Sequence, residues 1–301
     1  MHIAFIHAGN AFMPEIAAYQ TFFHNIGLTT SRISPEQTDH SKADILWYFM
    51  GFGGKKRKGK RVIHEYTSCS VPPFAAVKDA IKKILVPPPD FRIFQNEYVR
   101  KKMSPADHVP YGFRDHGYAP VDISPVTPSY DFVYVGTVAA QRRLERVFRH
   151  FSHGRLQERS LLVLSNEYRQ LQDKLGNPPN IHFRGPVAPD EVPFYIRQAR
   201  YGLNIIPDRK PFNRQTSGKL LDYAAARIPI ISTDYYWIRQ FQQTAGGSFF
   251  YLNTSLSNFT WDNIRDFRYE DPDLSGWTWD HQIRRSGIVE WIYAGGTTPN
   301  A

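Results

Sequence analysis

The chain has a single cysteine, Cys69, so internal disulfides and cysteine-cluster metal sites are excluded. No HxxxH pair and no His/Asp cluster offers metal ligands. Neither a Gly-x4-Gly-Lys-Ser/Thr phosphate loop nor a Gly-x-Gly-x-x-Gly dinucleotide fingerprint occurs. There is no fixed-period repeat, and no low-complexity tract beyond one basic run. The longest apolar runs, such as residues 44–50 and 228–232, are strand-sized, far below the roughly 18–20 residues that span a bilayer. The opening MHIAFIHAG has no basic n-region and no small-residue cleavage site, so it does not read as a signal peptide. A cytoplasmic location is expected.

What is present is a globular composition, with 42% hydrophobic and 15% aromatic residues. At 301 residues the chain is natural for two domains of about 100–170 residues each. Its formal charge of +9 fits anionic partners or ordinary solubility charge. Strand-like apolar runs alternate with helix-period segments, the pattern of α/β architecture with mainly parallel sheets. Residues 2–7, 29–33, 44–50, 61–67 and 91–94 read as strands. Ile16, Tyr19, Phe23 and Ile26 recur at helical spacing, and Phe74, Val77, Ile81 and Ile84 form another helical stripe. Residues 118–128 hold three prolines and read as a stiff linker.

A second series follows the linker, with strands expected at residues 131–135, 161–164, 181–183, 202–206 and 228–232. Helices are expected from Leu144, from Val192 and over 217–226, and the tail 279–292 reads as helical. This predicts a Rossmann-like domain over 1–120, a second over 121–278, and a segment 279–301 packing back on the first. Open parallel sheets bind ligands at the carboxyl ends of their strands. Two such sheets facing across a cleft would give a donor site and an acceptor site.

The strongest motif is residues 216–234, TSGKLLDYAAARIPIISTD. On a helix starting near Thr216, Lys219, Asp222, Tyr223 and Arg227 lie toward one side and Leu220, Leu221, Ala224 and Ala225 toward the other. The unpaired amides of Ser217, Gly218 and Lys219, with the helix dipole, make an anion site fit for a diphosphate. Gly218 permits close approach, Lys219 adds a positive charge, and Asp222 can accept hydrogen bonds from ribose hydroxyls. The plainer reading is an amphipathic helix with Thr216 or Ser217 as its N-cap.

At these residues the sequence resembles the donor-binding segment of GT-B glycosyltransferases, most of all the glycogen-synthase-like family numbered four. YVGTVAAQRR (134–143) is similar to the family's strand-Gly-loop-Arg segment, whose basic residue meets the donor phosphates. NIHFRGPVAPDEVPFY (180–195) resembles the strand whose following residues contact the base, and residues 205–207 the strand before the phosphate loop. The resemblance covers 131–234 well and the N-terminal half in layout only. It implies a GT-B fold, and donor contacts from Gly136, Thr137, Arg142, Arg143, Gly185, Pro186, Thr216, Ser217, Gly218, Lys219, Leu220 and Asp222. It also implies retention at the anomeric carbon, no bound metal or other cofactor, and a nucleotide-sugar donor: a UDP-sugar first, with GDP- and dTDP-sugars as alternatives. The pattern departs from the family at Arg214, where a Glu is expected, and at residues 211–215 (PFNRQ), which replace a Gly-Phe-Gly loop. Weight therefore shifts to Ser217 and Lys219 as phosphate ligands, with Lys219 counted among the catalytic groups.

Other candidates lie in the N-terminal half. His64 and Glu65, at a strand end, are candidate catalytic groups for the acceptor hydroxyl, or else a half-buried strand pair. The run 55–61 (KKRKGKR), including Lys55, Lys56, Arg57 and Lys58, reads as a solvated loop, an anionic-membrane patch, a site for a phosphorylated acceptor or a DNA contact. Gly9 and Asn10 form a turn or line the acceptor site. The function expected is transfer of a sugar to a hydroxyl of a bacterial surface glycan or its lipid-linked precursor, peripheral at the inner face of the membrane. The alternatives are transfer to modified bases of phage DNA, or a non-catalytic nucleotide-sugar-binding module. A thermal-shift screen against nucleotide-sugars separates donor binders from the rest.

Overall fold

The computed structural model describes the whole chain except Ala8 and residues 10–12, 50–57, 71–73, 139–141 and 296–301. The chain forms two units, Met1–Gly117 with Trp277–Ala301, and Tyr118–Gly276. In chain order the first unit contains β1 (His2–Ile6), α1 (Pro14–Asn25), β2 (Thr29–Ile33), β3 (Ile45–Phe49), β4 (Arg61–Tyr66), α2 (Ala75–Leu85), β5 (Phe91–Phe94), α3 (Glu97–Met103) and β6 (Tyr111–Phe113). The second contains β7 (Tyr130–Val135), α4 (Leu144–Ser152), β8 (Leu161–Leu164), α5 (Arg169–Leu175), β9 (Ile181–Arg184), α6 (Val192–Arg197), β10 (Ala199–Asn204), α7 (Gly218–Ala225), β11 (Ile230–Thr233), α8 (Tyr236–Ala245), β12 (Phe250–Leu252) and α9 (Trp261–Arg265). The chain then returns to the first unit with α10 (Trp279–Arg285) and α11 (Ile288–Tyr293).

Each unit is built on one six-stranded sheet, ordered β2-β1-β3-β4-β5-β6 in the first and β12-β11-β10-β7-β8-β9 in the second. All pairings within the sheets are parallel. Helices cover both faces of such sheets, so their inner strands read as unbroken apolar runs. β3 (ILWYF) and β8 (LLVL) are buried at every position. The first core is an aromatic cluster in which Trp47 lies 4.5 Å from the ring of Tyr19 and 5.3 Å from Phe5. Ile283, Ile288, Trp291 and Ile292 of α10 and α11 complete it. The tail is two helices rather than one, parted at Gly287, whose φ of 69° is left-handed. β6 accepts this tail closely at a glycine: a Cβ on Gly112 would lie 1.8 Å from the Ser286 carbonyl oxygen.

One expectation needs correction. The strand expected at 202–206 is β10, three residues earlier at its start and two at its end. The helix expected at the stripe Phe74, Val77, Ile81 and Ile84 is α2; all four side chains are exposed, while Asp79 of the same helix is buried.

Candidate functional site on the second sheet

The second sheet reverses direction between β7 and β10. From β7 the chain runs outward to β8 and β9, then crosses back to β10, β11 and β12. Such a switch point opens a crevice at the carboxyl ends of the strands. An open groove of about 1400 Å³ occupies that edge, larger than the roughly 300–1,000 Å³ of common small-molecule sites. Segments following all six strands line it, among them Val138, Asn166, Gly185, Pro207, Asp234 and Asn253. Arg142, Arg143 and Pro186 also lie on its wall, and Arg146, Arg149 and Arg169 add to its positive charge.

Lys219 and Asp222 do not line the groove itself; they stand on α7 beside the end of β7. Gly136 ends β7 with a φ of 119° that favours glycine, and a Cβ there would lie 3.8 Å from Lys219 Nζ. The ammonium sits 5.3 Å from the ring centroid of Tyr134, within cation–π range. Each of Lys219 and Asp222 keeps some surface open to solvent, yet both are densely surrounded by protein atoms. Burial pulls the Lys219 amine down to about 7, helped by the positive charge of Arg142 and opposed by Asp222. Burial pushes the Asp222 carboxyl up to about 7, opposed by Lys219. Arg142 thus links the groove wall to Lys219 electrostatically, and its guanidinium also lies 5.0 Å from the ring of Phe212.

Ser217 is the N-cap residue of α7, but its hydroxyl does not cap the helix. It is buried and donates instead to Asn204 Oδ1 at 2.7 Å. Asn204 Nδ2 in turn donates to Ser232 Oγ and Tyr235 Oη. This buried network ties the start of α7 to β10 and β11. The first helical acceptor is the Ser217 carbonyl, taken by the amides of Leu220 and Leu221. The amides of Gly218 and Lys219 precede that ladder, as first-turn donors do. Leu220 is fully buried, so its side chain belongs to the core. Tyr223 is also fully buried rather than ligand-facing: its hydroxyl accepts from the Val135 amide at 3.0 Å. Gly202 on β10 makes room for it, since a Cβ there would lie 2.5 Å from the Tyr223 ring. Thr216 is half-buried, and Thr137 accepts from Tyr134 Oη through its carbonyl at 2.9 Å.

The candidates of the first unit are placed differently. His64 and Glu65 on β4 are both solvent-inaccessible. The His64 ring packs edge-on against Tyr48 and Tyr66. Glu65 accepts from Trp47 Nε1 at 2.8 Å and is the ion-pair partner of Arg114. Neither has the solvent-reached position that reaction with an incoming hydroxyl needs, because β4 is central in its sheet and covered on both faces. Gly9 adopts a φ of 84° and its amide donates to His7 Nδ1. Lys58 is exposed in a turn, whereas Asn10, Lys55, Lys56 and Arg57 lie outside the described residues. Among the described residues no three His, Cys, Asp or Glu side chains gather as a metal site.

Sequence reasoning missed Tyr134, Asn204 and Phe212. Tyr134 reads as an ordinary strand residue, and only the neighbouring Gly136 marks the place. A glycine inside an apolar strand, Gly202, was the signal for the close approach of α7.

No family model matches the sequence, and no curated protein matches it. Solved structures do match. AviGT4, a glycosyltransferase involved in avilamycin A biosynthesis, aligns with a TM-score of 0.60 at 12% identity, covering 98% of this chain and 96% of its own. T4 phage BGT in complex with UDP and Mn2+ aligns with a TM-score of 0.56 at 15% identity, covering 98% of each chain. The UDP-GlcNAc 2-epimerase of Methanocaldococcus jannaschii, in complex with UDP-GlcNAc and UDP, aligns with a TM-score of 0.57 at 9% identity, covering 97% of this chain and 100% of its own. The fold is that of the GT-B glycosyltransferases. In that fold the groove and the start of α7 lie at the carboxyl edge of the second sheet.

Proposed function

We propose that the protein is a glycosyltransferase that takes its sugar from a nucleoside-diphosphate donor, with UDP as the nucleotide. The observation that carries this reading is Lys219, held at the β7/β10 switch point against Gly136, with Asp222 one turn further along α7 and Arg142 linking it to the groove. As the bond from the anomeric carbon to the diphosphate oxygen breaks, negative charge builds on the leaving group. Fixed cations and helix amides in a partly dehydrated site stabilise that charge. Lys219, Arg142 and the amides of Gly218 and Lys219 supply it here, and Asp222 accepts from donor hydroxyls. Gly185 and Pro186 face the base end of the groove.

In this reading the reaction needs no divalent cation, and the anomeric configuration is retained. The acceptor is a hydroxyl of a surface glycan or its lipid-linked precursor. Support for metal independence is the set of basic side chains; T4 phage BGT, by contrast, was solved with Mn2+. Retention and the acceptor class rest on the family resemblance as a whole, not on residues 216–234, since Arg214 stands where the family's first Glu is expected.

The test is a thermal-shift and turnover series with UDP-, GDP- and dTDP-sugars. A UDP-sugar should stabilise the protein, and Lys219→Ala should abolish transfer without unfolding it. Full activity in that variant overturns the assignment. Donor binding without transfer points to a binding module, and release of a free epimerised sugar points to epimerase chemistry. EDTA should leave the rate unchanged, and proton NMR of the product should show the donor's anomer.

A second reading has charge and one structural neighbour behind it. The formal charge of +9 and the basic run 55–61 suit a polyanionic acceptor, and BGT is a DNA-modifying enzyme. Salt-sensitive retention of duplex DNA, with sugar incorporated into it, would favour this reading over the glycan acceptor.

A further inference from the structure

α2 is folded inside out. Its apolar residues Val77, Ile81, Ile84 and Leu85, with Phe74 at its N-cap, occupy one arc of about 100° on a helical projection. Their exposures are 56%, 47%, 82%, 70% and 75% respectively. The opposite face packs on the first unit. There Asp79 is buried and accepts from the Ser70 amide at 3.1 Å, and Lys82 donates to Ser70 Oγ at 3.1 Å. Single exposed apolar residues are ordinary, but a contiguous ridge of five marks a surface that something covers.

The charges around the ridge decide what covers it. Lys78 is exposed on its flank. α3 packs beside α2 and adds the exposed Lys101 and Lys102. Lys82 and Lys83 are half-buried toward the packed face, where with Lys102 they act on the buried Cys69 thiol, so the exposed Lys78, Lys101 and Lys102 are the cations left for the border. The acids of the two helices are already engaged, Asp79 with Ser70 and Glu97 with Arg100 and Lys101.

We infer that this face lies on an anionic lipid surface, with α2 parallel to the bilayer plane. An apolar ridge with cations along its border is the design of an interfacial helix. The aliphatic and phenyl groups enter the acyl boundary while the ammonium groups meet lipid phosphates. At 11 residues α2 is about 16 Å long, too short to span. No helix among the described residues is long and apolar enough to cross a membrane. A second copy of the chain fits worse, because a two-fold contact would set these lysines against their own copies. A nucleic acid would take the lysines but leave five apolar side chains in water. This inference stands apart from the transfer reaction, since no residue of α2 or α3 belongs to the second sheet's site.

Flotation of the full chain with phosphatidylglycerol/phosphatidylcholine vesicles tests it, with pure phosphatidylcholine vesicles as the reference. Binding should be strong on the anionic vesicles and weak on the neutral ones. Ile84→Ser with Leu85→Ser should lower the partition coefficient at least tenfold at an unchanged thermal midpoint, because both side chains are already exposed. Lys78→Gln with Lys102→Gln should lower it about fivefold per lysine, on anionic vesicles only. UDP-sugar thermal shifts should be the same in every variant, which separates failure here from failure of the donor reading. Equal binding to both vesicle types, or full binding by both variants, overturns the inference. So does a chain that ignores vesicles while the serine pair abolishes dimerisation or duplex DNA retention.

Discussion

Each unit holds a basic side chain close to a carboxylate, and the two pairs are finished in opposite ways. In the first unit Arg114 is spent. It pairs with Glu65, its Nε lies 3.2 Å from Tyr19 Oη, its Nη1 donates to the Asp115 carbonyl, and its guanidinium lies 5.4 Å from the Trp279 ring. Glu65 is spent too, on Arg114 and Trp47. In the second unit Lys219 and Asp222 influence each other's protonation but form no ion pair among the described contacts. Burial drives both toward their neutral forms. A buried charge that the protein satisfies with hydrogen bonds and a counter-ion holds structure together. A half-buried one left without such partners is stabilised when a charged ligand arrives.

The largest effect that sharpens this contrast is on stability. Arg114→Met leaves Glu65 buried without its counter-ion, and Glu15, 3.9 Å from the same guanidinium, loses its nearest cation. Urea unfolding should show a loss of about 3–5 kcal/mol. The double change with Glu65→Met should cost less than Arg114→Met alone. Next is the converse: Lys219→Met should leave urea stability unreduced while cutting transfer by about 100- to 1,000-fold, the cost of losing one fixed donor to a developing anion. A large loss of stability in that variant would break the comparison. Tyr223→Phe should cost about 1–3 kcal/mol in the same unfolding assay, because the partly buried Val135 amide loses its acceptor.

The last effect is the pH dependence. Asp222 has a folded pKa of about 7 against a usual 3.8, so the folded chain holds an extra proton between those values and stability falls as pH rises through them. Lys219 has a folded pKa of about 7 against a usual 10.5. The unfolded chain there holds the extra proton, and stability rises as pH rises from 7 to 10.5. Unfolding at a series of pH values should therefore show a minimum near pH 7 that Lys219→Met flattens on its alkaline side. A diphosphate beside Lys219 restores its proton. Calorimetry of UDP binding at pH 8 in buffers of different ionisation enthalpy should register net proton uptake, and none in Lys219→Met.

Much of the second sheet was legible because parallel strands buried on both faces are continuous apolar runs; 161–164 coincides with β8 residue for residue. β6 and β12 escaped notice because three residues, YGF and FYL, carry no measurable period. The convergence of Arg142, Gly136 and Lys219 was readable only as a resemblance, since about 80 residues separate the two segments and no spacing rule joins them. His64 and Glu65 misled for a physical reason. Polar residues at a strand end read the same whether the strand is central or at an edge, and the Arg114 that buries Glu65 lies 49 residues away. The outward turn of α2's ridge was not legible, because a helical period tells which residues share a face and not which way that face turns.

The return of α10 and α11 to the first unit has a consequence for synthesis on the ribosome. Residues 118–276 hold every strand of the second sheet, so that unit can close while the tail is still being made. The first unit cannot, because Ile283, Ile288, Trp291 and Ile292 belong to its core. Domains fold largely as they emerge, N-terminal ones commonly first, and here the order reverses. The first unit waits, with Phe91 and its neighbours uncovered, until α10 and α11 leave the exit tunnel. A stop codon after residue 276 would therefore yield a folded second half attached to an aggregation-prone first half.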